Sequence, residues 1–250
     1  MDRNKFSAIA HRDHVFSNPI NEAKLMRALQ LLNLQKGDQV LDVGAGKGEL
    51  LIRVAEKFQA KATAVELYEG AIEEAKRKAA GRLAADQITF LNQDAKEAVA
   101  SFAGDEFALG ICIGSTHALG GLEETLQSLK KCVKKGGYIL IGEGYWKQKP
   151  SQDYLQALGA SESELKTHEE NVKAGEDLGL IPLWAIVSSD DDWDEYEWLY
   201  SMSIENYCYE HPEDPDCIAM LARIRTWRRT YLKWGRDTLG FALYLFRNQG

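Results

Sequence analysis

Two rhythms of hydrophobic and polar positions alternate along the first part of the chain. Short apolar runs at Gln39–Val43, Ala62–Glu66, Ile88–Leu91, Phe107–Ile113 and Tyr138–Ile141 read as buried strands. Between them, apolar residues three and four apart predict helices over Glu49–Lys57, Tyr68–Ala80, Ala95–Phe102 and Leu122–Val133. Gly81 is the expected stop of the second helix, and Lys135-Gly136-Gly137 the expected turn into the fifth strand. Strands separated by helices predict βαβ units, and hence an α/β fold with a parallel sheet covered on both faces. Upstream, an arm over Phe6–Asn18 is rich in His, Arg and Asp. Pro19 then opens an amphipathic helix to about Leu32, with Ile20, Leu25, Met26, Leu29 and Leu32 at helical spacing.

The C-terminal part breaks this alternation. A helical segment over Ser151–Ala174 precedes a strand, Leu180–Val187. Two helical stretches follow, Trp193–Glu210 and Pro215–Trp234, and then a last strand, Leu239–Phe246. The helical pair lies between two strands, so residues 188–236 are expected to be a helical cap inserted into a single domain spanning 1–250. Residues 1–36 form its N-terminal arm and helix.

Composition narrows the class. With 45% hydrophobic and 27% charged residues the chain is ordinary for a globular protein. No apolar stretch approaches the roughly 20 residues of a bilayer span. The polar start Met1-Asp2-Arg3-Asn4-Lys5 lacks the apolar run of a signal peptide, so a cytoplasmic protein with no membrane partner is expected. A net charge of −8 argues against a nucleic-acid partner. Cys112, Cys132, Cys208 and Cys217 form no CxxC pair and no zinc spacing, so no metal is expected. Oligomeric state has no signature in the sequence.

The densest chemical signal is Val40-Leu41-Asp42-Val43-Gly44-Ala45-Gly46-Lys47-Gly48-Glu49, where a buried strand ends in alternating glycines and enters a helix. Glycines permit a sharp turn and close ligand approach, and a helix N-terminus offers N–H groups. The spacing is GxGxG followed by an acid, not the dinucleotide GxGxxG, and favours a nucleoside without a phosphate. Glu66 ends the second strand, placed to accept from ribose hydroxyls. Asp94, after the third strand, has two readings: an acceptor for an adenine amino group, with the Ala95 N–H donating to a ring nitrogen, or the N-cap of the next helix.

Together these residues closely resemble the class I S-adenosylmethionine-dependent methyltransferases, over roughly residues 37–145. LDVGAGKG is similar to their first motif, Phe107–Gly114 to their fourth-strand motif, and Lys135–Leu140 to the turn and strand that follow. The resemblance extends to bacterial small-molecule enzymes of the ubiquinone/menaquinone type. It implies a Rossmann-like sheet of seven strands in the order 3-2-1-4-5-7-6, with the last strand, Leu239–Phe246, antiparallel. It also implies S-adenosyl-L-methionine as cofactor, held by Asp42, Gly44, Ala45, Gly46, Gly48, Glu66, Leu67, Asp94, Ala95 and Ile113. Ile113-Gly114-Ser115-Thr116 stands where nucleic-acid amino-methylating enzymes carry Asn/Asp-Pro-Pro-Tyr/Phe, which lowers the nucleic-acid reading further. The expected reaction is N- or O-methylation of a small-molecule acceptor.

Methyl transfer needs alignment first, and a base only where the acceptor must lose a proton. His117, after the fourth strand, is the first candidate base. Glu143, with Tyr145 and Trp146, follows the fifth strand and is a candidate to orient a cationic amine. His11, Arg12 and His14 on the N-terminal arm are candidate substrate contacts. For each of these, a structural hydrogen bond, ion pair or packing role is the competing reading. The acidic-aromatic stretch Asp190–Trp198 is either a mouth for cations or the charge partner of the arginines in Arg223–Arg236. Other functions open at this level are an aminopropyltransferase, an NAD-dependent oxidoreductase, and a non-catalytic nucleoside-binding subunit.

Overall fold

The short apolar runs at 40–43, 107–112 and 138–141 lie buried at the centre of the protein's sheet. The computed structural model describes residues 2–250. Its sheet consists of β1 (Gln39–Val43), β2 (Lys61–Glu66), β3 (Ile88–Asn92), β4 (Phe107–Ile113), β5 (Val133–Trp146), β6 (Leu180–Val187) and β7 (Leu239–Asn248). They lie in the order β3-β2-β1-β4-β5-β7-β6. β1 pairs parallel with β2 and β4, β2 with β3, and β4 with β5, while β6 and β7 are antiparallel. The order reverses between β1 and β4, which opens the crevice where doubly wound sheets bind ligands. Pro182 sits on β6, an edge strand, where a missing N–H is tolerated.

The chain divides into two compact units. The sheet unit comprises Glu22–Glu143, His168–Val187 and Ala242–Gly250. Its core is built on β1, β4 and β5, where Val40, Leu41, Leu109, Ile111, Ile139, Leu140 and Ile141 are inaccessible to solvent. Around them run α2 (Glu22–Gln30), α3 (Glu49–Phe58), α4 (Glu69–Ala79), α5 (Ala95–Ser101), α6 (Leu122–Cys132) and α8 (His168–Asp177). The expected helix from Pro19 starts only at Glu22. Asn18 first accepts from the Ile20 N–H in a local turn that holds the backbone out of the helix. Lys135-Gly136-Gly137 is not a turn before β5 but a break inside it. The pairing with β4 jumps from Phe107–Val133 to Leu109–Tyr138, and Gly136 takes φ +80° at the bulge.

The helical unit comprises residues up to Asn21, Gly144–Thr167 and Ser188–Phe241. It contains α1 (Arg3–Ala10), α7 (Gln152–Leu158), α9 (Asp190–Glu210) and α10 (Cys217–Thr230), the last continuing as a π-turn over Tyr231–Gly235. The first part of the expected N-terminal arm, residues 6–10, is therefore helix. Asp2 caps α1 by accepting from the Asn4 N–H, and Phe6 and Ala10 pack with Ile204, Met220 and Ile224. The single helix expected over 151–174 is two, because Gly159 in the left-handed region ends α7. α9 begins with a capping box between Ser189 and Asp192, so its acidic first turn also suits the helix dipole. Its carboxylates meet cations: Asp190 pairs with Lys147 and Arg236, Asp194 with Arg236, and Glu205 with Arg225 and Arg228. Within the acidic-aromatic stretch, Asp190 and Asp194 take the charge-partner role. Among the described residues no helix is long and apolar enough to cross a membrane.

Candidate functional site

The three glycines after β1 do three different jobs. A Cβ at Gly44 would stand 2.3 Å from the Ser115 Cβ, so this glycine lets the β4 loop close onto β1. A Cβ at Gly48 would stand 2.9 Å from the Ala75 Cβ, so this one seats α3 on α4. At Gly46, with φ +54°, a Cβ would meet nothing within 4 Å. Gly46 alone borders open space, and a ligand can approach its backbone there.

The loop has also spent most of its donors. The N–H groups of Gly44 and Ala45 both donate to the Val65 carbonyl, at 2.9 and 3.1 Å, and Gly48 donates to Ala45 at 2.9 Å. The Gly46 N–H donates to Glu66 Oε2 at 2.9 Å, while Glu66 Oε1 accepts from the Tyr68 N–H at 2.9 Å. Glu66 therefore fixes the loop from the end of β2. Asn92 donates to the carbonyls of Glu66 and Leu67, which sets the chain's exit from β2 and leaves the Leu67 side chain 70% exposed. Asp94 caps α5, accepting from the N–H groups of Lys96 at 2.8 Å and Glu97 at 3.3 Å, with Ala95 buried behind it.

Asp42 lies one residue before the end of β1, 5% exposed, and among the described residues its carboxyl accepts no hydrogen bond. Burial, and secondarily the charge of Glu66, push its pKa up to about 7. Glu49, in the first turn of α3, is also screened from water, which pushes its carboxyl up. Hydrogen bonds from Arg82 and Arg53 outweigh that and hold it below the ordinary carboxylate value. Glu49 thus belongs to an ion-pair network, and Asp42 is a buried acid of this crevice with no cation paired to it among the described residues.

Next to this cradle, β4 ends at Ile113, which is half-buried, and a short turn carries His117, whose side chain is exposed. The Thr116 hydroxyl donates to Glu143, tying the end of β5 to the β4 loop. Thr125 in turn donates to the Thr116 carbonyl at 3.1 Å, so the loop is braced from α6. Ser115 and Thr116 also belong to this site, although the sequence marks them only as part of the Gly-Ser-Thr run after β4, which does not reveal contact with Gly44 or Glu143. Cys112, buried behind them, has its thiol pushed up by burial and by the nearby charges of Asp42 and Glu143.

The remaining candidates fall in the helical unit and are engaged there. The Trp146 indole N–H donates to the Glu162 carbonyl at 2.9 Å, and its ring packs edge-on against Tyr154. Tyr145 is 8% exposed and lies so close to Gly240 that a Cβ there would come within 2.3 Å of its ring. His11 donates from Nδ1 to the Ser7 carbonyl at 2.9 Å, and its Nε2 shares a hydrogen bond with the Tyr196 hydroxyl at 3.0 Å. His14 donates from Nε2 to the Tyr196 carbonyl at 2.9 Å and is 5% exposed. Arg12 pairs with Asp13 and Glu210. The structure thus gathers Asp42, Gly46, Glu66, Ile113, Thr116, His117 and Glu143 on the sheet unit. It gives Tyr145, Trp146, His11, Arg12 and His14 packing or bonding roles in the helical unit.

Comparison with known proteins agrees with this geometry. The sequence model of the family described as "Methyltransferase domain" matches residues 34–202. The uncharacterised protein YjhP of Escherichia coli (strain K12) is 28% identical over 246 residues, covering 98% of each chain. A methyltransferase from Geobacter sulfurreducens, solved with S-adenosyl-L-homocysteine, superposes with a TM-score of 0.88 at 27% identity over 98% of both chains. One from Thiobacillus denitrificans, also solved with S-adenosyl-L-homocysteine, gives 0.88 at 26% identity over 99% of this chain and 100% of that one.

Proposed function

Because this chain belongs to the methyltransferase-domain family, we propose that it transfers a methyl group from S-adenosyl-L-methionine to the nitrogen or oxygen of a small-molecule acceptor. What supports the cofactor is Asp42. A buried carboxyl with no hydrogen bond among the described residues is costly. It stands beside a glycine that leaves ligand space, in a loop whose donors are already used. Such a site suits a ligand that brings positive charge and hydrogen-bond donors. A pyrophosphate would need the amides that Gly44, Ala45, Gly46 and Gly48 no longer offer, which weighs against the NAD reading.

Bound S-adenosyl-L-methionine supplies a methyl group already activated by its sulfonium charge. The chain's part is to align, to exclude water and, for an acceptor that must shed a proton, to provide a base. Alignment alone contributes on the order of 7–11 kcal/mol. Gly46 admits the donor, and Asp42 faces its positive charge. Glu66 accepts from its ribose while keeping the loop in place, and Asp94 and Ala95 meet the adenine beside Leu67. His117 is the candidate base and Glu143, held by Thr116, the candidate to orient the acceptor. An amine acceptor needs Glu143 more, and a hydroxyl acceptor needs His117 more.

Calorimetric titration tests the cofactor reading. S-adenosyl-L-methionine is expected to bind wild type in the micromolar range, and Glu66→Ala and Gly46→Val are expected to abolish binding. A wild-type protein that takes up no donor heat ends the proposal. Incubation of a metabolite extract with methyl-labelled donor then identifies the acceptor by the label it acquires.

A further inference from the structure

The helical unit holds a cavity of its own, about 600 Å³ in volume, bounded by α1, α7, α9 and α10. That volume is in the range of sites for drug-sized molecules. Phe6, Tyr196, Tyr200 and Trp227 give it aromatic walls. Into this apolar space α9 brings Glu197, whose residue is 6% exposed. Its Oε2 accepts from the Trp227 indole N–H at 2.6 Å. Among the described residues that is the only hydrogen bond of the carboxyl, and no cation pairs with it.

The contrast with its neighbours on the same helix is informative. Asp190, Asp194 and Glu205 each face a lysine or arginine. Glu197 faces phenols instead. Tyr154, Tyr196, Tyr200 and Tyr231 all have their hydroxyl pKa raised, first by burial and further by the Glu197 charge. Burial pushes Glu197 itself up to about 7, against the lowering effect of the Trp227 N–H. An acid kept in such surroundings without a counter-charge costs stability. A ligand that brought the charge would recover that cost, and the aromatic faces would favour a cation as well. Arg223 also lines the cavity, with its guanidinium 4.8 Å from the Phe6 ring centre, but it is exposed and solvent screens it.

We propose that this cavity is a binding site for small aromatic amines, with the protonated amine paired to Glu197 and the ring held among Phe6, Tyr196, Tyr200 and Trp227. The site lies wholly within the helical unit and is read directly by equilibrium binding, so it stands or falls separately from methyl transfer.

The test titrates the full chain with tryptamine, with 3-ethylindole, the neutral analogue that lacks the amine, and with the anionic indole-3-propionate. Tryptamine is expected to bind at least about tenfold more tightly than 3-ethylindole, a difference of about 1.4 kcal/mol, and indole-3-propionate more weakly than either. Glu197→Gln keeps an oxygen to accept from Trp227, and is expected to reduce tryptamine to the level of 3-ethylindole. Ala222→Phe places a ring at an exposed position lining the cavity. It leaves Glu197 untouched and is expected to weaken both indoles, which keeps the test decisive if Glu197→Gln fails to fold. Equal affinity for tryptamine and 3-ethylindole, no tryptamine binding, a folded Glu197→Gln that keeps the preference, or Ala222→Phe binding as wild type would each overturn the assignment.

Discussion

Asp42→Asn should change how stability depends on pH, in a direction fixed by the burial of the carboxyl. In the native protein the Asp42 pKa is up at about 7, against an ordinary value of 3.8. Between those two values the folded chain keeps a proton that the unfolded chain has already released. Stability therefore falls as pH rises through this window, and the full penalty is present above about pH 7. The window spans some three pH units at about 1.4 kcal/mol each, so the penalty approaches about 4 kcal/mol. Asparagine carries no such proton. The stability of Asp42→Asn minus that of wild type should rise by about 1.4 kcal/mol from pH 5 to pH 6, rise less toward pH 7, and level off above pH 8. Urea unfolding at each pH measures it, with fluorescence and circular dichroism required to give coincident transitions. Taking the difference removes titration common to both proteins, including that of Glu197, which is raised in the same range. A difference that stays flat from pH 5 to pH 8 would refute the reasoning, since it would mean that Asp42 titrates normally.

Other variants separate the roles argued above. Gly46→Ala meets open space and bears only the left-handed backbone cost of about 1–2 kcal/mol, so it should fold and yet lose donor affinity more than tenfold by calorimetry. Gly44→Ala drives a methyl into Ser115 and should lower stability by about 3 kcal/mol in urea; equal behaviour of the two variants would contradict the division of labour. His117→Ala should lower kcat by about 10²–10⁴-fold for an acceptor that must lose a proton, with donor affinity unchanged, and an unaltered kcat would remove His117 as the base. Gly240→Ala should be destabilising by about 1–3 kcal/mol because its methyl enters the Tyr145 ring; an unchanged melting temperature would show Tyr145 to be loosely held.

The backbone of the sheet unit was largely legible because its signals are local. β1, β4 and β6 begin and end at the residues their apolar runs predict. α1 was missed although Asp2 is an N-cap and Phe6, Ile9 and Ala10 fall on one helical face. The abundant polar residues around them, whose partners lie on α9 and in the loop between α9 and α10, mask the pattern. The candidate site divided in the same way. Glycines and acids at strand ends are recognised from the turn they must make, and Asp42, Gly46 and Glu66 lie together. Tyr145 and Trp146 were expected past the end of β5, but β5 runs on through Trp146 and buries both rings. Ser115 escaped notice because its importance is a steric relation to Gly44, seventy-one positions away in sequence.

The same sequence motif can build opposite electrostatic sites, and the partner of its amides decides which. A glycine loop whose N–H groups point outward into a helix N-terminal crevice attracts phosphate. Here the Val65 carbonyl takes two of those N–H groups and the Glu66 carboxylate takes a third. The crevice edge is then defined by the acids Asp42 and Glu66, with Glu49 withdrawn into its arginine pairs. The position of Glu66 at the end of β2 is thus consequential twice over. It removes a donor that an anion would want, and it adds a charge that a cation would want. A loop of identical glycine spacing without that acid would keep the Gly46 N–H exposed and would select for the opposite ligand charge.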